Sequence, residues 1–249
     1  MLNLFWQDSS DLKAWLPRIQ CHRGYCQTGL PENTLQSIQK AVQLGFKMVE
    51  FDVRLTADSQ VILFHDDTIL IRGHSTAISE LTLRSLKEIV NVNELEQIFA
   101  WLMKLKSPEI KLNIEIKSSE IFNSILEKKV VELIHRYQLQ SQIIISSFNP
   151  LSLSRIRFLD SSIYRALLLT LEKSPKNRWY LKKMVFNFLC RPHALHLFYQ
   201  DWCENEAKWE KIKVPVVLWT YNDQTLKLNL KKVHGIITDQ ILPQDFNFE

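Results

Sequence analysis

The sequence predicts an α/β fold, a single (β/α)8 TIM-type barrel, and three observations carry that reading. Short apolar strand patterns near residues 19, 48, 61, 111, 143, 163, 194, 214 and 235 mostly alternate with helical patterns, and such alternation implies a parallel sheet. The chain has 249 residues, the usual size of one such barrel. Finally, His22, Glu50, Asp52, His65, Glu115, Lys117 and Trp219 all fall at or near C-terminal strand ends, where barrels of this kind keep their chemistry. Eight or so repeats favour a closed barrel over an open sheet.

Composition narrows the class. Apolar residues make up 46% and charged residues 23%, as in ordinary soluble globular proteins. A net charge of +4 is too mild to indicate a nucleic-acid partner. No apolar tract reaches the roughly 18 residues of a membrane span, and the N-terminus lacks a basic segment followed by an apolar one. Cys21, Cys26, Cys190 and Cys203 show no disulfide framework, and the spacing of the last two does not resemble a zinc site. These features lead to the expectation of a reduced, cytoplasmic protein, monomeric or weakly oligomeric. Residues 1–17 form an N-terminal extension closed by Pro17, and residues 18–249 one barrel domain.

The elements follow in order. Arg18-Ile19-Gln20-Cys21-His22-Arg23-Gly24 reads as a short strand running into a loop, with a glycine suited to a tight turn. Leu35, Ile38, Ala41 and Val42 recur at helical spacing, with Asn33 as N-cap, Gln36 three residues on, and Gly45 as the stop. Residues 48–67 hold two strand patterns. In the first, Glu50 and Asp52 interrupt an apolar run at i and i+2, so both carboxylates share one face. Two acids inside a buried strand need a cation or strong donors nearby. The second, Val61-Ile62-Leu63-Phe64-His65, is an apolar run that ends in a histidine followed by two aspartates.

Residues 68–79 read as a polar loop, 81–89 as a short helix, and 94–106 as a helix that Pro108 closes off. Residues 111–117 alternate strictly: Asn113, Glu115 and Lys117 share one side, and Leu112, Ile114 and Ile116 the other. An amphipathic helix is predicted over 121–137. A buried strand follows at 143–148, then Asn149 and Pro150 as N-cap and first helical residue. Further strands are predicted at 163–169, 194–198, 214–220 and 235–238, with helices over 173–191, around 204–212, and from Asn222 to Leu230.

Glu50, Asp52 and Glu115 are three hard oxygen donors, which suit Mg2+ or Ca2+ rather than a thiol-loving metal. His22 and His65 close different strands, which lets them flank a bound group. Two histidines around a phosphate can divide the work, one taking a proton from the nucleophile and the other protonating the leaving oxygen. Arg23 and Lys117 supply positive charge for phosphate oxygens. This inventory points to metal-assisted cleavage of a phosphodiester. The other histidines carry no partner pattern, although His196 lies within a strand.

His22-Arg23-Gly24, Pro31-Glu32-Asn33-Thr34, Glu50-Phe51-Asp52-Val53 and His65-Asp66 resemble the glycerophosphodiester phosphodiesterase family. Glu115-Ile116-Lys117, Ser146-Ser147-Phe148, Trp219-Thr220-Tyr221-Asn222 and Gly235-Ile236-Ile237-Thr238-Asp239 continue the likeness across roughly residues 18–240. The resemblance implies a TIM-type barrel that uses a divalent cation to hydrolyse small glycerophosphodiesters to glycerol 3-phosphate and an alcohol. It implies Glu50, Asp52 and Glu115 as metal ligands, and His22 and His65 as the acid/base pair. Arg23 and Lys117 become phosphate contacts and Trp219 a wall of the substrate pocket. The chain departs from the family where Ser59-Gln60 replaces the usual turn glycine, and where the characteristic insertion, at about 67–93, is short.

Residues 173–191 include six Lys or Arg together with Trp179, Tyr180, Phe186 and Phe188, and no acid follows Lys173 in the stretch. Two readings stand: an interfacial helix in peripheral contact with anionic lipid, or an outer barrel helix with Tyr180, Met184 and Phe188 packed inward. The first brings a lysophospholipase D-type or cyclising lipid phosphodiesterase into view as the alternative function. A third possibility is a non-catalytic binding barrel, but the full set of acids, histidines and cations is present.

Overall fold

The computed structural model describes residues 5–7, 11–118, 123–173, 183–223 and 232–246. Its strands are β1 (Ile19–Cys21), β2 (Met48–Leu55), β3 (Val61–Leu63), β4 (Thr68–Ile71), β5 (His74–Ala77), β6 (Lys111–Ile116), β7 (Ile143–Ser147), β8 (Tyr164–Leu169), β9 (Ala194–Phe198), β10 (Val216–Trp219) and β11 (Gly235–Thr238). The ring consists of β1, β2 and β6 to β11, eight parallel strands, and the pairing of Cys21 with Val49 closes it. The predicted (β/α)8 barrel is therefore the fold.

One predicted strand stands outside the ring. β3 runs antiparallel to β2, with Leu63 opposite Val53. Its connection spans only residues 56–60, whereas a parallel return needs a crossover of about a dozen residues or more. Ser59 turns the corner in the left-handed region at φ 59°, the conformation a glycine would hold more easily. The hairpin thus carries His65 back from the end of β2 to the level of Asp52, whose carbonyl accepts the Phe64 N–H.

Side chains alternate around the ring as the period-two pattern requires. Val49, Phe51, Leu112, Ile114, Ile143, Ile145, Leu195, Leu197 and Leu218 point outward into the main apolar core under the helices. Burying each such side chain contributes about 1.5–3 kcal/mol. Residues of the opposite parity fill the interior. Met48, Ile144, Ala166, Ala194, Val217 and Ile237 pack there with Leu12 and Leu16 from the N-terminal segment. The Trp15 indole N–H donates to the Ser141 carbonyl at 2.7 Å, and His234 Nε2 donates to the Leu16 carbonyl at 2.8 Å. Residues 12–16 therefore plug the N-terminal end of the barrel, and the other end stays free for chemistry.

Several local expectations are corrected. The N-cap of helix Leu35–Gln43 is Thr34, which forms a capping box with Ser37; Asn33 sits at φ 55° with its side chain turned elsewhere. Residues 68–79 are not a loop: β4 and β5 form a hairpin whose turn, Arg72 and Gly73, has both residues left-handed, the geometry of a tight two-residue hairpin turn. The helix predicted over 94–106 spans Leu95–Leu105, and that over 121–137 spans Ile125–Arg136 among the described residues. The helix around 204–212 is two short ones, Tyr199–Glu204 and Glu206–Trp209.

Most of the basic aromatic segment over 173–191, including Trp179 and Tyr180, lies outside the described residues, as does most of the helix from Asn222 to Leu230. In the described part, Met184 takes φ 52° and a short helix covers only Asn187–Cys190. Met184 packs against the core, but Phe188 is 44% exposed, so the inward stripe does not form there. Among the described residues no helix is long and apolar enough to cross a membrane.

Candidate active site

Glu50 and Asp52 project from β2 into the free end of the barrel, and Glu115 projects from β6, where the register sets it beside Asp52. All three carboxylates are buried. One oxygen from each lies within 4.8 Å of the other two. Burial, with Asp52 close by, pushes Glu50 up to about 7. Burial likewise pushes Glu115 up to about 8 against the pull of Lys117. At Asp52 burial acts the same way, but Lys117 and Arg23 outweigh it and hold the carboxyl below its ordinary value. Two of the three acids are thus short of counter-charge in a tight cluster of hard oxygens. The donor set fits a divalent cation of the Mg2+ or Ca2+ type.

The cations surround this cluster. Lys117 Nζ lies 2.6 Å from Glu115 Oε1 and 3.2 Å from Asp52 Oδ1. Burial works against its charge, but the two acids outweigh it and raise its pKa. The Arg23 guanidinium holds both Glu32 oxygens, at 3.0 and 3.1 Å, and its Nε lies 3.4 Å from Asp52. Its backbone N–H donates to Glu50 Oε2 at 3.0 Å. The turn that aims this N–H depends on Gly24, at φ 75°, where an added Cβ would lie 2.4 Å from Ser37 Oγ.

Each candidate histidine has an aspartate at its Nδ1. His22 Nδ1 lies 2.6 Å from Asp239 Oδ1, and His65 Nδ1 lies 2.8 Å from Asp66 Oδ1. An ionised carboxylate only accepts, so each ring carries hydrogen on Nδ1 and keeps Nε2 for other chemistry. His22 Nε2 is 3.9 Å from Glu50 Oε2. Burial lowers the His22 pKa, but Asp239 and Glu50 outweigh it and leave it raised. At His65, burial and Lys117 prevail over Asp52 and Asp66, and the pKa is lowered. The two imidazoles are thus pushed in opposite directions.

The opposite side of the mouth is aromatic. Trp219 stacks edge-on against Phe148 at 5.4 Å and lies 5.2 Å from Phe198, and its indole N–H donates to the His196 carbonyl. Lys117 Nζ is 5.9 Å from the Phe148 ring, which joins this wall to the acids. His22, Arg23, Glu50, Asp52, His65, Glu115, Lys117 and Trp219 are therefore all brought to one end of the barrel.

Other residues at the site are given no role there by the sequence: Asn33 reads as a helix cap, Asn222 and Asp239 stand within family-like motifs, and Arg54 is not singled out. Asn33 donates to Asp52 Oδ2 and accepts the Asp52 backbone N–H. Asn222 donates to Asp239 Oδ2 at 2.7 Å and accepts the Asp239 N–H at 2.8 Å, which fixes the carboxylate that orients His22. Arg54 spans β2 and the segment after β3. A carboxylate just past the last barrel strand was the available signal for Asp239, since that strand neighbours β1.

Residues 22–242 match the model of the glycerophosphoryl diester phosphodiesterase family. A glycerophosphodiester phosphodiesterase of Caldanaerobacter subterraneus subsp. tengcongensis is 26% identical over 231 residues, covering 88% of this chain and 92% of that protein. Among solved structures, a glycerophosphodiester phosphodiesterase from Parabacteroides distasonis superposes with a TM-score of 0.72 at 26% identity, over 89% of this chain and 92% of that one. A phosphodiesterase from Oleispira antarctica, solved in complex with the product sn-glycerol-3-phosphate, gives 0.68 at 24% identity, over 91% and 94%.

Proposed function

This chain belongs to the glycerophosphoryl diester phosphodiesterase family, and we propose that it hydrolyses glycerophosphodiesters to glycerol 3-phosphate and an alcohol with a divalent cation and two histidines. The observation that carries this reading is the convergence of three buried carboxylates, two cations and two aspartate-backed histidines at one barrel end. The product bound to the Oleispira antarctica relative supports glycerol 3-phosphate as the retained half.

Glu50, Asp52 and Glu115 hold the cation, which when bound supplies Lewis-acid polarisation of a phosphate oxygen. Arg23 and Lys117 contribute positive charge around the remaining phosphate oxygens. His65, biased toward its neutral form, takes a proton from water as the water oxygen attacks phosphorus. His22, whose ring Asp239 holds by Nδ1 with Nε2 left for transfer, gives a proton to the alcohol oxygen as that P–O bond breaks. Asp239 and Asp66 hold the two rings so that Nε2 does the transfer.

Phosphorus NMR of the products of glycerophosphocholine cleavage in ¹⁸O-labelled water tests this scheme. Glycerol 3-phosphate with one labelled oxygen is the expected product. A cyclic phosphate without label indicates attack by a substrate hydroxyl and overturns the water-based scheme. The aromatic wall of Phe148, Phe198 and Trp219 favours, as a second reading, an apolar lysophospholipid substrate; lysophosphatidylcholine in the same assay tests it.

A further inference from the structure

Arg54 lies just beyond the acids of β2 and faces Ile62 across the hairpin. Its guanidinium makes a fork onto one backbone carbonyl: Nε donates to the His65 oxygen at 2.9 Å and Nη2 donates to the same oxygen at 2.7 Å. The remaining arm, Nη1, reaches the Lys117 carbonyl at 3.5 Å. One side chain therefore ties together the end of β2, the segment that follows β3, and the segment that follows β6. Those segments carry Asp52, His65 and Lys117.

His65 needs such a tie. β3 is three residues long; it pairs with β2 on one side and on the other is held by a single bridge of Ile62 with Glu94 and by the Leu63 N–H donating to the Asn93 carbonyl, both of which end before His65. After Leu63, the Phe64 N–H donates to the Asp52 carbonyl, and the strand pairing then ends. The peptide that carries His65 lies past the last rung, at a position where an unsupported strand end moves. The planar fork holds it at two points, and a lysine ammonium cannot reproduce that geometry. With both donors of one edge committed to a carbonyl, Arg54 does not serve as a phosphate ligand through that edge.

We propose that Arg54 is a positioning residue for the phosphodiester cleavage, setting His65 for proton transfer by clamping its peptide to β2 and β6. The inference rests on the reading of His65 as a proton-transfer group. A misplacement of about 1 Å at a reacting group can cost on the order of 10²-fold in rate, and the fork acts on that scale.

The test uses the full chain with Arg54→Lys and Arg54→Gln, each alone and combined with His65→Ala, after thermal unfolding has verified a folded protein. In the His65-intact background both variants are expected to lower kcat on glycerophosphocholine by about 10²-fold, with KM and Mg2+ affinity unchanged. In the His65→Ala background the same substitutions are expected to cost no further rate. Unchanged kcat in both variants overturns the inference, and so does an equal loss with and without His65.

A second readout separates this inference from the proposed function. In ¹⁵N-histidine NMR, the His65 ring signals are expected to shift in Arg54→Lys while those of His196, deep in the barrel, stay in place. Unmoved His65 signals overturn the clamp whether or not the unaltered protein turns over substrate. Failure of the unaltered protein to cleave any diester, with shifted His65 signals, counts against the proposed function and leaves the clamp standing.

Discussion

Asn33 clasps Asp52 from two directions: its amide donates to the carboxylate at 3.0 Å, and its carbonyl oxygen accepts the Asp52 backbone N–H at 2.9 Å. The side chain reaches both because its own backbone is held left-handed, at φ 55°, a conformation asparagine tolerates better than most residues. Asp52 sits between Lys117 and Arg23, so the clasp orients the acid that both cations share. Asn33→Ala should therefore destabilise the protein by about 1–3 kcal/mol, since it leaves buried polar groups unpaired. It should also weaken Mg2+ or Ca2+ binding. Chemical denaturation and metal-binding calorimetry measure the two effects; a variant equal to the parent in both would show that the clasp is idle.

The histidines should separate cleanly from the acids. His22→Ala and His65→Ala are each expected to cut turnover by about 10²–10⁴-fold, the scale of general acid/base catalysis, while metal affinity holds. Asp239→Asn keeps the shape at His22 but exchanges the charged acceptor for an amide, and should cost about 10–100-fold. Steady-state kinetics on a soluble glycerophosphodiester measure all three. Near-normal turnover in either histidine variant removes it from the acid/base pair.

Glu50 is under strain without a cation, because burial and Asp52 both work against its charge. Glu50→Gln keeps an acceptor for the Arg23 N–H while removing that charge. The variant should unfold at a higher temperature than the parent in chelator, and gain less from added Mg2+ or Ca2+ than the parent does. Thermal melts with and without metal decide this, and a variant less stable than the parent in chelator contradicts it.

His196 gives a pH signature away from the mouth. It is fully buried in β9, and burial, with His234 adding, drives its pKa down from 6.5 to about 3. The unfolded chain binds a proton near pH 6.5 that the folded chain refuses until about pH 3. The stability linked to this ring is thus fully present above pH 6.5 and is lost progressively as pH falls toward 3. His196→Asn should remove a slope of about 1.4 kcal/mol per pH unit across that acid window. Denaturation curves at several acidic pH values, taken as the difference between parent and variant, report it. Parallel curves would show that His196 is protonated in the folded state.

What the sequence could show follows from which contacts are local. Glu50 and Asp52, and Asn113, Glu115 and Lys117, were legible because period two in a strand assigns a face without knowledge of any partner. The barrel was legible because apolar strands and helices alternate along the chain. Asn33 looked like a helix cap since its chemistry suits one, but its partner is Asp52, on the next strand of the barrel. Asp239 and Asn222 act on His22 across more than 200 residues of chain for the His22 contact, a closure that only the ring geometry creates. The β4–β5 hairpin had a local signal, Arg72-Gly73, hidden in a polar stretch that read as loop.

The most direct measurement is release of glycerol 3-phosphate from glycerophosphocholine, glycerophosphoethanolamine and glycerophosphoinositol with Mg2+, with Ca2+ and with chelator. The account predicts release that requires a divalent cation and nearly disappears in His22→Ala and His65→Ala. Equal release in chelator, or no release from any of the three diesters while the carboxylate cluster binds metal, would contradict it.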